Sequence, residues 1–198
     1  MVHTVFLGSG GFPAFWYHVG YVTRLREITN KTVCCGGTSG GAMAAWVLAH
    51  TNVSKDRLVR IAEQCIQQLH YYTPFDKWAQ LFMSLVTENC GPFVGALYAG
   101  AYATRLNNRT PILLRTSDIQ MDVRESCFVP VLSGHVSGPR GYVDGRLGWT
   151  PTYPAGTHYI HYSDLYPVHR LLPLRAHADN FEAGINACDG GGLHDQMH

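Results

Sequence analysis

A serine flanked by glycines constrains this chain more than any other feature. Ser39 lies in the pentapeptide GTSGG, which fits the pattern G-x-S-x-G. The apolar run 32–35 precedes it, and the small-residue stretch 42–48 follows. A strand that turns sharply into a helix needs residues without side chains beside the turn, and Gly37 and Gly41 meet that need. The sequence predicts a strand–turn–helix that exposes the Ser39 hydroxyl at a helix N-terminus. The alternative is a Gly/Ser turn that merely starts a helix.

Short apolar runs alternate with helical patterns along the chain. Strands are predicted at 2–7, 32–35, 112–119 and 141–143, and a broken strand at 127–132, where Pro130 lacks the N–H of a central strand. Helices are predicted at 13–28, 42–48, 54–69, from Thr73-Pro74 onward, from Phe93 towards Leu106, and at about 175–188. This alternation predicts an α/β fold with a mainly parallel central sheet flanked by helices. We expect one domain over residues 1–198, with a loose Gly-rich tail at about 189–198.

A second glycine-rich turn, GSGG at 8–11, lies between the first predicted strand and the first predicted helix. Consecutive glycines expose backbone N–H groups that can hold a phosphate or an oxyanion. A dinucleotide fingerprint would need glycine at position 13, where this chain has Pro13, and no G-x-x-x-x-G-K-[ST] motif occurs. The candidate oxyanion donors beside Ser39 are therefore the N–H groups of Gly10, Gly11 and Phe12.

Asp144 is the candidate acid. It follows the predicted strand 141–143 and precedes Gly145, so its carboxylate is expected to turn into the crevice at the end of that strand. An ordinary Asp-Gly turn is the alternative. A rival Asp-Gly-Gly occurs at 189–191, but it follows the last predicted helix and lies in the loose tail. We therefore prefer Asp144.

Taken in this order, the three segments resemble the patatin-like phospholipase family. That family combines a Gly-rich oxyanion loop, G-x-S-x-G and D-G-[GA]. The chain is most similar to the branch of adipose triglyceride lipase and adiponutrin, in YHVG at 17–20, in LRE at 25–27 and in SCFVPV at 126–131. The resemblance is specific near 8–27, 35–49 and 126–145, and loose elsewhere.

The resemblance implies a patatin-like fold and a serine acyl hydrolase, a lipase or phospholipase, that needs no cofactor and no metal. Ser39 would attack an ester carbonyl, and Asp144 would accept its proton and return it to the leaving alcohol. Water would then release the acyl group. Because an unperturbed aspartate has a pKa of about 3.9, the dyad needs a partly desolvated carboxylate.

Three positions depart from the family pattern. The first loop continues with Phe12-Pro13-Ala14, where the family has a third glycine and often an arginine. Arg146 replaces the Gly or Ala after Asp-Gly, and Thr150-Pro151 stands where Asn often precedes Pro. Phe12-Pro13 and Arg146 suggest an alternative from a different class of function, a catalytically weak lipid-binding or regulatory protein. An acyltransferase that uses the same serine is a further alternative.

Eleven histidines make a Ser-His-Asp triad the natural competitor of the dyad. The candidate bases after Asp144 are His158, His161, His169, His177 and His194. His18 is expected to pack in the first helix with a hydrogen bond to the backbone. The pair His158-x-x-His161 shows no evident third ligand, so we expect no metal site.

Charge and composition limit the partners. Lys+Arg is 15 and Asp+Glu is 14, a net charge of +1, so no general field favours nucleic acid. We expect a lipid ester as substrate, with contact at the surface of a membrane or lipid droplet, and leave the oligomeric state open. Aromatic residues line an acyl groove or form ordinary core: Trp16, Tyr71, Tyr72, Trp78 and Phe82.

Cysteine usage and the first residues suggest the compartment. The six cysteines show no C-x-x-C spacing and are expected to be free thiols in a reducing environment. The first twelve residues show neither the basic region nor the long apolar region of a secretory signal. We therefore expect a cytoplasmic protein, peripheral at a lipid surface.

Overall fold

Twelve helices and strands make up the part of the chain that the computed structural model describes, residues 2–29, 31–70, 73–130, 132–147, 157–160 and 178–190. In chain order they are β1 Val2–Leu7, α1 Gly11–Ile28, β2 Thr32–Thr38, α2 Gly40–Leu48, α3 Lys55–Gln68, α4 Phe75–Asn89, β3 Tyr98–Arg105, β4 Thr110–Leu114, α5 Ile119–Ser126, β5 Tyr142–Asp144, β6 His158–Ile160 and α6 Asn180–Gly190. Two single-turn 3₁₀ helices lie at Gly95–Leu97 and Gly145–Leu147. The predicted α/β architecture is confirmed.

The six strands form one mixed sheet in the order β4-β3-β2-β1-β6, with β5 paired to β3. The pairings β1–β2, β1–β6 and β2–β3 are parallel, and the pairings of β3 with β4 and β5 are antiparallel. Only the turn 106–109 separates β3 from β4, too short for the crossover that a parallel pair needs. The sheet is therefore mixed, parallel from β3 to β6 and antiparallel where β4 and β5 pair with β3.

The main core lies between the sheet and the helices. β1 alternates, so that Val5 and Leu7 join this core while Phe6 packs with Tyr102 in a smaller cluster on the other face. The small-residue helix α2 is buried along its whole length against β2, β1 and α1. Within the described ranges, no helix is long and apolar enough to cross a membrane.

Several predicted helices match the structure closely. Ser54 caps α3 by accepting a hydrogen bond from the N–H of Arg57, and the predicted apolar stripe of Leu58, Ile61 and Cys65 is buried. Pro13 lies in the first turn of α1, where its missing N–H costs no intrahelical hydrogen bond. These segments carry their own start signals, so local sequence sufficed to predict them.

The helix predicted from Phe93 towards Leu106 is wrong, because this segment contains β3, which pairs with three other strands. Seven of its eight residues are buried, which removes the alternation of a half-buried strand. The spacing of Phe93, Leu97 and Ala101 imitates a helical repeat by coincidence. The segment includes Gly100 at φ 118°, a conformation that only glycine adopts readily.

The broken strand predicted at 127–132 is also wrong. Cys127 ends helix α5, which the sequence analysis missed, and the described residues 128–130 are not in a strand. Asp118 caps α5 by accepting from the N–H of Met121, a local signal that reveals this short helix once it is considered. The predicted strand 112–119 corresponds only to β4, which ends at Leu114.

Candidate active site

Ser39 lies at a strained turn between β2 and α2. Its backbone has φ 56° and ψ −125°, and Arg109 is the only other non-glycine residue of the described ranges with a positive φ. Such a conformation costs about 1–3 kcal/mol and persists only where the surroundings enforce it. Ser39 is partly exposed, whereas the residues on both sides of it are buried. The turn therefore presents its side chain to solvent at the N-terminus of α2.

Glycines make this turn possible by letting backbone pack on backbone. A Cβ on Gly37 would overlap the carbonyl carbon of Gly41 and lie only 2.5 Å from its oxygen. A Cβ on Gly41 would overlap the carbonyl oxygens of Leu7 and Gly8. Both positions predicted to form the turn thus need to lack a side chain, for the steric reason that the pattern suggests.

Gly40 joins this turn to the glycine-rich loop after β1. A Cβ on Gly40 would overlap the carbonyl of Gly11 and lie 3.2 Å from the Gly11 nitrogen. The sequence analysis did not single out Gly40 for this contact, because contacts between distant loops leave no local pattern. The first turn of α1 consequently lies directly against the first turn of α2.

The candidate donors stand at the N-terminus of α1. Gly10 has φ 147° and Gly11 has φ 62°, so the loop uses conformations that favour glycine. In the described part of the chain, no acceptor pairs with the N–H groups of Gly10, Gly11 or Phe12. Unpaired N–H groups in the first turn, together with the helix dipole, favour an anion at this point.

Strand β3 brings Asp144 to Ser39. Thr38, the last residue of β2, pairs with Tyr102, and Asp144, the last residue of β5, pairs with the next residue, Ala103. β4 occupies the opposite edge of β3, so β2 and β5 share one edge and their ends meet there. Because the C-terminal ends of β2 and β5 meet end to end along β3, Asp144 lies beside Ser39 although the two residues are about a hundred positions apart in the chain.

The Ser39 hydroxyl lies beside the Asp144 carboxylate, and this contact lowers the pKa of Asp144. Asp144 is only 4% exposed, and burial raises its pKa above the ordinary value. Three interactions oppose this rise: the Ser39 contact, a 2.8 Å hydrogen bond from the Arg146 N–H to Oδ1, and the Arg146 charge. The carboxylate is thus desolvated, held by the Arg146 N–H and placed beside the Ser39 hydroxyl, an arrangement that suits a general base.

Three consecutive residues at the end of α5 contact this pair, and the sequence analysis missed them. Ser126 Oγ accepts the Ser39 N–H at 3.0 Å, and Cys127 Sγ donates to the Ser39 carbonyl at 3.1 Å. The Phe128 carbonyl accepts the Asp144 N–H at 2.7 Å. All three belong to the segment SCFVPV that carries part of the resemblance. Their contacts were not predicted, because this segment was predicted to form a strand.

The histidines do not contact Ser39 in the part of the chain that is described. His18 Nε2 lies 3.0 Å from the Gly8 carbonyl oxygen in the buried interior, the backbone contact expected for it. His158 pairs in register with Val5, and its ring stacks near His3 towards the other end of β1. The remaining candidate bases, His161, His169, His177 and His194, lie outside the described residues.

The other candidate residues have ordinary surroundings. Asp189 lies in α6 and pairs with Arg24 at the surface, so the rival acid is remote from Ser39. Trp16, Trp78 and Phe82 are buried in the main core and do not line an open groove. Tyr71, Tyr72, Thr150, Pro151, Gly191 and most of the predicted tail lie outside the described residues.

The remaining candidates for chemistry are the cysteines and the side chains that could bind a metal ion. All six cysteines are free and buried, as predicted for thiols without disulfide partners. Within the described ranges, no three His, Cys, Asp or Glu side chains cluster in a way that would hold a metal ion.

Comparison with known proteins adds no assignment. No model of a known protein family matches this chain, and no curated protein matches it. The function must therefore be argued from the geometry of Ser39, Asp144 and the loop at 8–12.

Proposed function

We propose that the protein is a serine acyl hydrolase that cleaves carboxylic esters of lipids with a Ser39–Asp144 dyad, in the manner of the patatin-like family. The observation that carries the proposal is the position of the Ser39 hydroxyl beside the buried Asp144 carboxylate, at a strained turn. A strained serine paired directly with a desolvated base is an arrangement for nucleophilic attack.

The reaction follows from the positions of the groups. Ser39 Oγ forms a bond to the ester carbonyl carbon while its proton passes to Asp144, and the carbonyl oxygen becomes an oxyanion. The N–H groups of Gly10, Gly11 and Phe12 stabilise this oxyanion, each contributing about 3 kcal/mol. Collapse breaks the bond to the leaving alcohol, which takes the proton from Asp144. Water, deprotonated by Asp144, then attacks the acyl-enzyme carbonyl. Collapse breaks the bond to Ser39 Oγ, which takes the proton back from Asp144, and the fatty acid is released.

Apolar side chains near the oxyanion loop support a lipid ester as the substrate. The ring of Phe12 packs against that of Phe75 with centroids 5.6 Å apart. The N–H of Phe75 donates to the carbonyl of Leu132, whose side chain is 43% exposed. Apolar side chains thus lie beside the loop, and burial of apolar area against them favours an acyl chain at this point.

Two of the three departures from the family pattern, Pro13 and Arg146, leave these groups in place. Pro13 lacks an N–H, but it is the third residue of α1, and the N–H groups of Gly11 and Phe12 precede it. The backbone N–H of Arg146 donates a hydrogen bond to the Asp144 carboxylate, and the Arg146 side chain is exposed. Neither residue stands between the Ser39 hydroxyl and its base.

The decisive experiment measures hydrolysis of p-nitrophenyl esters of short and medium acids, and of a phospholipid and a triacylglycerol in mixed micelles. We expect Ser39→Ala and Asp144→Asn to lower kcat/KM by about 1,000-fold or more, since each removes a member of the reacting unit. Asp189→Asn is the matched control, because it changes the rival Asp-Gly pair and should hydrolyse at the wild-type rate. Because Asp144→Asn and Asp189→Asn each create an Asn-Gly pair, the intact mass of both variants is measured to exclude deamidation back to aspartate.

Other results would redirect the assignment. Equal rates for wild type and Ser39→Ala would contradict hydrolysis by Ser39 and favour the lipid-binding alternative. Transfer of the acyl group to an added lysolipid, in preference to water, would favour the acyltransferase. Activity on the soluble esters alone would retain the dyad and reject the lipid substrate.

A further inference from the structure

We infer that Ser126 is a positioning residue that holds the backbone of the nucleophile Ser39 in its reactive conformation. The inference rests on the proposed hydrolase function and deepens it. Ser126 is fully buried, so its hydroxyl has no access to solvent. Its Oγ accepts the Ser39 N–H at 3.0 Å and donates to the carbonyl of Tyr102 at 2.5 Å.

The direction of these hydrogen bonds is fixed by the number of protons. A serine hydroxyl has one proton, and Ser126 gives it to the Tyr102 carbonyl in β3. Towards Ser39 the hydroxyl therefore acts as an acceptor. Tyr102 pairs with Thr38, the residue before the nucleophile, so the sheet itself orients the hydroxyl that holds Ser39.

This anchor determines which amide groups face the crevice. Because the Ser39 N–H is directed into the buried Ser126 hydroxyl, it does not serve the oxyanion. The N–H groups at the start of α1 have no such acceptor and remain for that role. Ser126 thus gives the Ser39 N–H a structural role, while the N–H groups at the start of α1 remain available to the substrate.

The two residues after Ser126 extend the same anchor. Burial raises the pKa of the Cys127 thiol well above its usual range, and the nearby Asp144 charge raises it further, so the thiol keeps its proton and donates to the Ser39 carbonyl. The Phe128 carbonyl holds the Asp144 N–H. One short segment therefore fixes the serine peptide on both sides and the acid beside it.

A physical consequence follows for the reaction. The conformation of Ser39 is unfavourable on its own, so losing an acceptor for its N–H lets the turn relax and moves the hydroxyl from Asp144. Displacement by about 1 Å costs on the order of 100-fold in rate. Ser126 is buried beneath the turn and does not contact the crevice, so substrate binding should be unchanged.

The experiment compares wild type, Ser126→Ala and Ser133→Ala. Ser133 is a suitable control because it is also buried, at 2% exposed, and its hydroxyl has no hydrogen-bond partner among the described residues. Steady-state hydrolysis of p-nitrophenyl butyrate gives kcat and KM, a fluorophosphonate probe gives the rate of Ser39 labelling, and thermal unfolding monitors the fold. We expect Ser126→Ala to lower kcat and the labelling rate by about 10- to 100-fold with KM within about twofold. Ser133→Ala should keep both rates.

A second variant decides the matter where Ser126→Ala does not fold. Ser126→Cys keeps the size and a proton for Tyr102, but sulfur is a weaker acceptor for the Ser39 N–H, so kcat should still fall. An active wild type with unchanged kcat in the folded Ser126 variants would overturn the positioning role and leave the proposed hydrolase standing. Absence of both hydrolysis and Ser39 labelling in wild type would overturn the hydrolase, and the role of Ser126 with it.

Discussion

At the scale of single residues, the surroundings of Asp144 balance two opposing demands. Burial raises its pKa, which makes it a stronger base than a free aspartate. The contact with Ser39 and the hydrogen bond from the Arg146 N–H, with the Arg146 charge, keep the ionised form accessible. A general base must have a raised pKa and must still be unprotonated at the working pH. Burial meets the first requirement, and these contacts and the Arg146 charge meet the second.

Arg146→Gln should shift the pH dependence of activity upwards. The variant keeps the backbone N–H on Asp144 and removes only the positive charge, which favours the ionised carboxylate. Without that charge the pKa of Asp144 rises, so the base is protonated over a wider acidic range. The acidic limb of the kcat/KM profile should therefore move to higher pH, measured with a soluble ester at constant ionic strength. Arg60→Gln, on the exposed side of α3, is the control. An acidic limb that stays in place would show that this charge does not act on the base.

At the scale of elements, the turn at Ser39 was predictable because its causes are local. Glycines and a serine between an apolar run and a small-residue stretch predict β2, the turn and α2 from adjacent residues. Strand β3 gave no such signal, since it is buried on both faces, and the one local signal of the eight-residue helix α5, its Asp118 cap, is weak on its own. The sequence therefore indicated Ser39 and Asp144 as candidates, while the elements that bring them together and the contacts of Ser126 required the structure.

Gly40→Ala should separate the two first turns at the site. The added methyl group would overlap the Gly11 carbonyl, so α1 must shift away from α2 together with its unpaired N–H groups. Loss of one oxyanion donor lowers kcat by about 100- to 1,000-fold, and a fall of at least about 100-fold is expected for hydrolysis of a soluble ester.

The control for Gly40→Ala is Gly95→Ala. The nearest atom to a Cβ at Gly95 is a ring carbon of Phe93 at 3.9 Å, an ordinary contact, so this variant should retain wild-type activity. Circular dichroism and thermal unfolding separate a displaced loop from a lost fold. A folded Gly40→Ala protein with wild-type kcat would mean that the first turn of α1 does not supply the donors.

At the scale of the whole molecule, the last described helix, α6, packs against the first helix, α1. A Cβ on Gly20 of α1 would overlap the backbone of Phe181 in α6, and a Cβ on Gly184 of α6 would overlap the carbonyl of Tyr17 in α1. The two helices therefore pack backbone against backbone, which large side chains forbid. Because α1 begins with the candidate oxyanion loop, α6 supports the site from a distance by holding α1 on the sheet.

Gly184→Ala should destabilise the protein by about 1–3 kcal/mol, as inserting a methyl group into a packed helix interface does. Gly190→Ala is a control in the same helix, because no atom lies within 4 Å of a Cβ there. Denaturant unfolding followed by circular dichroism should show a lower midpoint for Gly184→Ala alone. Since α1 stays attached to α2 through Gly40, its ester hydrolysis at low temperature should fall less than that of Gly40→Ala. Equal midpoints for the two α6 variants would show that the α1–α6 interface accommodates the methyl group without loss of stability.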